Sequence, residues 1–298
     1  MIKNISIILL IATFISSQTL MADEKLPPYL KVTVSSSQMD ELIMNVSSAL
    51  ETEGFEVLGQ YNPGTNKNLA VLAYTRKDLQ QLSLKVEDRG ALASVLKIGF
   101  VQKSEQITVS MLNPMYLFYA YFMDEADKMK ADLSRITSDA KSAMKTIGND
   151  FTGFGGGLEV DDLKDYHYMM MMPYFTDPVE LKEFSSFNEG LKTIRENLQA
   201  KKGNTVQVYE LVFEDKQVAI FGVGLLDAED GEAHFLPIIG EDNIAAMPYE
   251  IILQGKEASM LHGKYRFALH WPELSMKQFM KISSTPGDVE DMLKGLTE

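Results

Sequence analysis

The feature that most constrains this chain is an order of hydrophobic segments that is run through twice. Leu30–Val34 alternates apolar and polar residues as a half-buried strand does, and Ser35-Ser36-Ser37 then offers oxygens to cap a helix. Met39, Leu42, Ile43, Val46, Ala49 and Leu50 recur at helical spacing, and Gly54 ends that helix. Strands are predicted at Phe55–Leu58 and, past the turn Asn62-Pro63-Gly64, at Leu69–Tyr74, with a short helix around Leu79 and Leu82. Val95–Val101 and Gln106–Leu112 pair as a hairpin, and Asn113-Pro114 opens a long helix. The order is β-α-β-β-β-β-α.

The second half predicts the same order. Tyr166–Met172 reads as its first strand, and Asp177-Pro178 as the start of a helix striped by Leu181, Phe184, Phe187, Leu191, Ile194 and Leu198 and ended by Gly203. Strands at Val206–Phe213 and Val218–Leu225 follow, then a loop rich in Asp, Glu and Gly to about Asp242. Tyr249–Leu253 and Ala258–Leu269 read as a last hairpin, and Trp271-Pro272 as the opening of a C-terminal helix. The boundaries expected are a signal at 1–22, a first domain at 23–148, a flexible linker at 149–160 rich in glycine (Gly153, Gly155, Gly156, Gly157), and a second domain at 161–298. A phosphate-cradling loop needs a strand before it and a helix after it; this one follows a helix, which argues against a nucleotide site.

Residues 1–22 have the pattern of a secretory signal: Lys3, an apolar core at Ile7–Ile15 and a cleavage point after Ala22, with an uncleaved anchor as the alternative. No later segment is long and apolar enough to span a bilayer, so a soluble periplasmic or secreted protein is expected. Loss of the signal removes only Lys3, leaving 27 basic against 42 acidic residues. That balance opposes binding to nucleic acid and to anionic membranes. The absence of cysteine excludes disulfides, thiol nucleophiles and thiolate metal sites together.

Three runs carry a resemblance. Gly54-Phe55-Glu56-Val57-Leu58-Gly59 after an amphipathic helix, Val95-Leu96-Lys97-Ile98-Gly99-Phe100 leading through a hairpin to Asn113-Pro114, and Met247-Pro248-Tyr249-Glu250-Ile251-Ile252-Leu253 resemble the domain of unknown function 302 family, present here as two copies. The resemblance implies a TATA-binding-protein-like β-α-β4-α fold in each copy, an α+β class with antiparallel sheets carrying helices on one face. Many members of that family have cysteines near the positions held here by Ala73–Thr75, Leu96 and Tyr249, so a thiol or metal role there does not carry over. The family implies no agreed activity.

Candidate chemistry is sparse. On a strand at 167–172, His167, Met169 and Met171 would share one face, and imidazole with thioethers suits Cu(I). The competing reading is a strand buried on both faces, with Met as an adaptable filler. His234, His262 and His270 show no metal-ligand spacing; His262 and His270 are expected at the surface or rim of a hairpin. No Gly-x-Ser-x-Gly elbow occurs, and the pairs Asp161-Asp162 and Glu241-Asp242 read as solvated loop acids. A helix over 114–147, apolar all round at first and then striped by Ala126, Met129, Leu133, Ile136, Ala140, Ala143 and Ile147, either packs within the chain or forms the seam of a homodimer.

The sequence therefore predicts an exported, soluble binding or interaction protein with no catalytic residues and no cofactor, whose partner is an apolar small molecule or a protein. A periplasmic Cu(I)-binding protein is the alternative, and an enzyme with its pocket between the two domains a further one.

Overall fold

The computed structural model of the chain describes residues 25–298; the signal expected at 1–22 lies outside the described residues. Strand β1 (Tyr29–Ser35) leads into helix α1 (Met39–Thr52), which buries Leu42, Ile43, Val46 and Leu50 of the expected stripe. Then follow β2 (Glu56–Tyr61), β3 (Leu69–Thr75), the short α2 (Lys77–Ser83), β4 (Leu96–Lys103), β5 (Gln106–Leu112) and α3 (Pro114–Phe122). Each of these falls where its residue pattern predicts.

The helix expected over 114–147 is not continuous. α3 is buried on all sides but for Met115, whereas the acidic stretch after it is largely exposed, so the chain must turn from interior to surface. It does so at Met123, with a φ of 50°. A single turn, α4 (Glu125–Lys128), and then α5 (Lys130–Lys145) follow. Leu133, Ile136, Ala140, Ala143 and Met144 of α5 are buried, and α5 lies against α1. Leu133, Ile136, Ala140 and Ala143 of the stripe that suggested a homodimer seam are thus covered within the chain, while Met129 and Ile147 are half-buried.

The segment expected as a flexible linker holds a strand, β6 (Thr152–Phe154), paired antiparallel to β1, before α6 (Val160–Lys164). Tyr166–Met172 is not a strand but a series of turns. The first strand of the second sheet is instead β7 (Val179–Glu183), in which only Leu181 is buried. An edge strand that shows charges to solvent resists pairing with other chains, and for the same reason gives little hydrophobic signal. Helix α7 (Phe187–Gln199) starts ten residues later than expected from Asp177, capped by the Ser186 hydroxyl, which accepts the Glu189 N–H at 3.2 Å.

Next come β8 (Thr205–Phe213), β9 (Val218–Leu225), a helix α8 (Glu232–Ile239) inside the acidic loop, β10 (Tyr249–Gln254) and β11 (Glu257–Met260). The last hairpin stops at Met260. Gly263–His270 is helix α9, not strand, and α10 (Met276–Phe279) and α11 (Thr285–Gly295) complete the chain.

The chain is thus α+β with two antiparallel sheets, ordered β2-β3-β4-β5-β1-β6 and β7-β11-β10-β9-β8. Read from β8, the second runs β8-β9-β10-β11-β7, the counterpart of β2-β3-β4-β5-β1 in the first. The sheets face each other through β4 and β10. Lys97 of β4 reaches Glu250 of β10, and Gly99, two residues on and so on the same face, lies under Ile244 and Ala245. The helices that follow the hairpins also meet: Tyr116 of α3 donates to the Leu269 carbonyl at 2.7 Å, and Tyr265 of α9 to the Ala120 carbonyl at 3.4 Å. One hydrophobic core runs through both halves.

Where β2 crosses β8 the backbones nearly touch. A Cβ placed on Gly59 would lie 2.0 Å from the Val208 carbonyl oxygen, so only glycine fits without moving a strand. Gly59→Ala should lower stability by about 1–3 kcal/mol, read as a lower urea midpoint at unchanged slope. A midpoint equal to wild type would show that the two strands separate freely.

Candidate functional site

Two places gather chemistry. The first is sealed between the sheets. Glu250 pairs with Lys97, lies 3.8 Å from Arg266 Nε through its other oxygen, and accepts the Tyr209 hydroxyl at 3.3 Å. Arg266 stacks on Tyr249, its Cζ 3.7 Å from the ring centroid, and donates to the carbonyls of Ala246 and Pro248. Burial pulls the Lys97 pKa down, with Glu250 opposing. Burial likewise disfavours the Arg266 charge, but Tyr249 and Glu250 outweigh it and hold that pKa above its ordinary value.

His270 is buried here too, not at a hairpin rim, because α9 turns inward. Burial, aided by the Arg266 and Lys97 charges, pushes its pKa well below the ordinary histidine value, so the ring is neutral. Its Nε2 is 3.3 Å from the Tyr121 hydroxyl. All these groups are at most 8% exposed, and the Lys97–Glu250 pair joins the two sheets, while the Tyr249 hydroxyl, Arg266 Nε and His270 Nδ1 have no hydrogen-bond partner among the described residues.

The second place is a surface cleft of about 150 Å³. One wall is the turn at 168–172, contributing Tyr168, Met169 and Met172; the other is Lys264, Phe267, Ala268 and Trp271, closed by Leu274, Met276 and Phe279. α9 makes this wall because positions 264, 267, 268 and 271 follow helical spacing and share one face. Trp271 is held by a hydrogen bond from its indole nitrogen to the Gly240 carbonyl at 3.1 Å. The rim is unusually bare. Met170 is 85% exposed, Met171 96%, Met276 54% and Met280 65%.

A larger, open groove of about 760 Å³ lies between the start of α1 and the turns after β2 and β4, lined by Ser36, Ser37, Asn62, Lys67, Ser104 and Glu105 among others. Those six side chains are exposed to solvent, whereas the smaller cleft is lined mainly by apolar side chains.

The residues put forward for Cu(I) fall in three settings. His167 stacks on Tyr174 at 4.4 Å between centroids, with Nδ1 3.3 Å from the Asp165 carbonyl oxygen. Met169 lines the cleft, and Met171 stands in solvent at a left-handed φ of 71°. With no strand at 167–172, the shared-face argument for these residues has nothing to rest on. His262 accepts the Lys264 N–H at the start of α9, at 3.2 Å. The residues that sequence reasoning missed are Phe267, Trp271, Leu274, Met276 and Phe279. The helical spacing of 264, 267, 268 and 271 was the available signal, hidden by reading Ala258–Leu269 as strand.

No family model matches the chain, and no curated protein matches it. Among solved structures, the chain is similar to the crystal structure of an uncharacterized conserved protein DUF302 from Bacillus stearothermophilus, at 18% identity and a TM-score of 0.34. That match covers 40% of this chain and 96% of the other. No helix among the described residues is long and apolar enough to cross a membrane.

Proposed function

We propose that this is an exported, non-catalytic binding protein built from two TATA-binding-protein-like copies in tandem, with the methionine-lined cleft as its binding site. The matching strand orders support the tandem reading, and the pattern of residues 1–22 supports export. The observation that carries the binding role is the bare apolar rim around a formed apolar cleft. Contiguous exposed hydrophobic surface marks interaction sites, and methionine adapts to occupants of varied shape. A volume of about 150 Å³ matches a benzene-sized group, so the cleft suits a ring or a short alkyl chain of an apolar small molecule.

Trp271 is the only tryptophan in the chain and lines the cleft, so its fluorescence reports on occupancy. Titration with 1-octanol should give a saturable change in wild type. Ala268→Phe, which fills the cleft, should weaken that binding about tenfold or more, the loss of roughly one ring-sized apolar contact. An unaltered titration in that variant would remove the cleft from consideration.

A further inference from the structure

We propose that the methionine-rich face around the cleft docks on bilayers that carry anionic lipid, an inference that rests on reading this face as the working surface. Met170 and Met171 stand outside the cleft on the turn at 168–172, and Met276 and Met280 stand one helical turn apart at α10. A small molecule filling the cleft meets Met276 but leaves Met170, Met171 and Met280 in water. A bilayer interface takes them together, since each flexible, unbranched chain can enter the acyl boundary.

The local charge fits the same partner. Lys264 lines the cleft, Lys277 and Lys281 follow Met276 and Met280 directly in the chain, all three are exposed, and among the described residues none lies within 4.0 Å of a carboxylate. Glu273 is the only acid between 264 and 281, with Asp165 and Asp177 flanking the turn of the other wall, whereas the chain overall has 42 acidic residues for 28 basic. Lysines beside protruding apolar side chains place their ammonium groups at the lipid phosphates. The acidic remainder is repelled by the same lipids, which orients the docking. The expectation from net charge, that anionic membranes are disfavoured, thus reverses on this one face.

The test uses the exported chain, with its N-terminus fixed by mass spectrometry, and sedimentation with vesicles of phosphatidylcholine alone or mixed with phosphatidylglycerol. Binding to the mixed vesicles is expected, weakening as salt rises, with little binding to the neutral ones. Met170→Ser with Met171→Ser, and separately Lys277→Glu with Lys281→Glu, should each lower vesicle affinity about tenfold or more. These side chains are exposed, so a urea midpoint equal to wild type checks that each variant folds. Equal binding to both vesicle types, no binding to either, or variants that bind like wild type would overturn the proposal. Capture of an amphipathic peptide without vesicle binding would assign the face to a protein partner and overturn it too. The wild-type chain separates the two readings: vesicle binding without octanol binding leaves docking standing and the cleft reading lost. Octanol binding without vesicle binding does the reverse.

Discussion

Glu250→Gln is expected to cost the fold about 3–5 kcal/mol, more than any other single change considered, because it strands a buried charge. Glu250 answers two cations at once, Lys97 across the sheets and Arg266 from α9. Glutamine keeps the shape and one acceptor oxygen, so the loss comes from the charge. Arg266 retains Tyr249 beneath it and the two backbone carbonyls, which leaves Lys97 as the group without a partner. Burial already lowers the Lys97 pKa, and without Glu250 to oppose it the ammonium must shed its proton on folding.

That gives the variant a pH signature. A lysine whose folded pKa is depressed leaves the unfolded chain holding more protons, so stability rises with pH up to the unfolded lysine value. Urea unfolding of Glu250→Gln should therefore show stability climbing with pH toward the unfolded lysine value of about 10, where wild type does not climb to the same extent. Lys97→Met in the same chain should recover part of the loss, and the double-mutant cycle gives the coupling of the pair. Additive single effects, with no recovery, would show that Lys97 and Glu250 do not depend on each other.

This clamp and the cleft differ in how far the sequence announces them. The first half was legible because its strands and α1 carry strong periods, and because Asn113-Pro114 marks the start of α3 unambiguously. The second half misled where local pattern and tertiary need diverge. Tyr166–Met172 has a strand-like composition, but the sheet position beside β11 is filled by β7, whose charged sequence is what an edge tolerates. The apolar residues after Met260 continue without a break, so a two-residue period and a helical one compete there, and Gly263 with the His262 cap decides for helix. The Lys97–Glu250 pair was invisible for another reason. Its partners are 153 positions apart, and only the facing of two sheets brings them together. The clustering of methionine was plain in the sequence; that they are bare rather than buried was not, since composition does not separate a core filler from a surface one.

A second large effect is expected from Glu232, the buried acid that opens α8 and ties the halves together at another point. Its carboxylate accepts the Tyr61 hydroxyl at 2.9 Å and the Gly64 N–H at 2.9 Å from the turn after β2, and the Leu225 N–H at 3.1 Å from the end of β9. Those three donors favour the charged form, but burial outweighs them and raises the pKa to about 7. An acid whose folded pKa is raised binds more protons folded than unfolded between the two values. Its contribution is therefore fully present below about pH 4.5 and is lost as pH rises through about 7, a fall of about 3 kcal/mol. Carboxylates held by partners, such as Asp78 and Asp227, have lowered pKa values and weaken the fold in the opposite direction, on acidification below the ordinary range. The difference between wild type and Glu232→Gln isolates the single group. The variant loses an acceptor and is expected to be less stable at low pH, yet its stability should fall less between about pH 4.5 and 7. Unfolding curves for the two proteins that run parallel across that interval would mean that the three donors, not burial, set the protonation of Glu232, and that the tie between the β2 turn and β9 is ionic throughout.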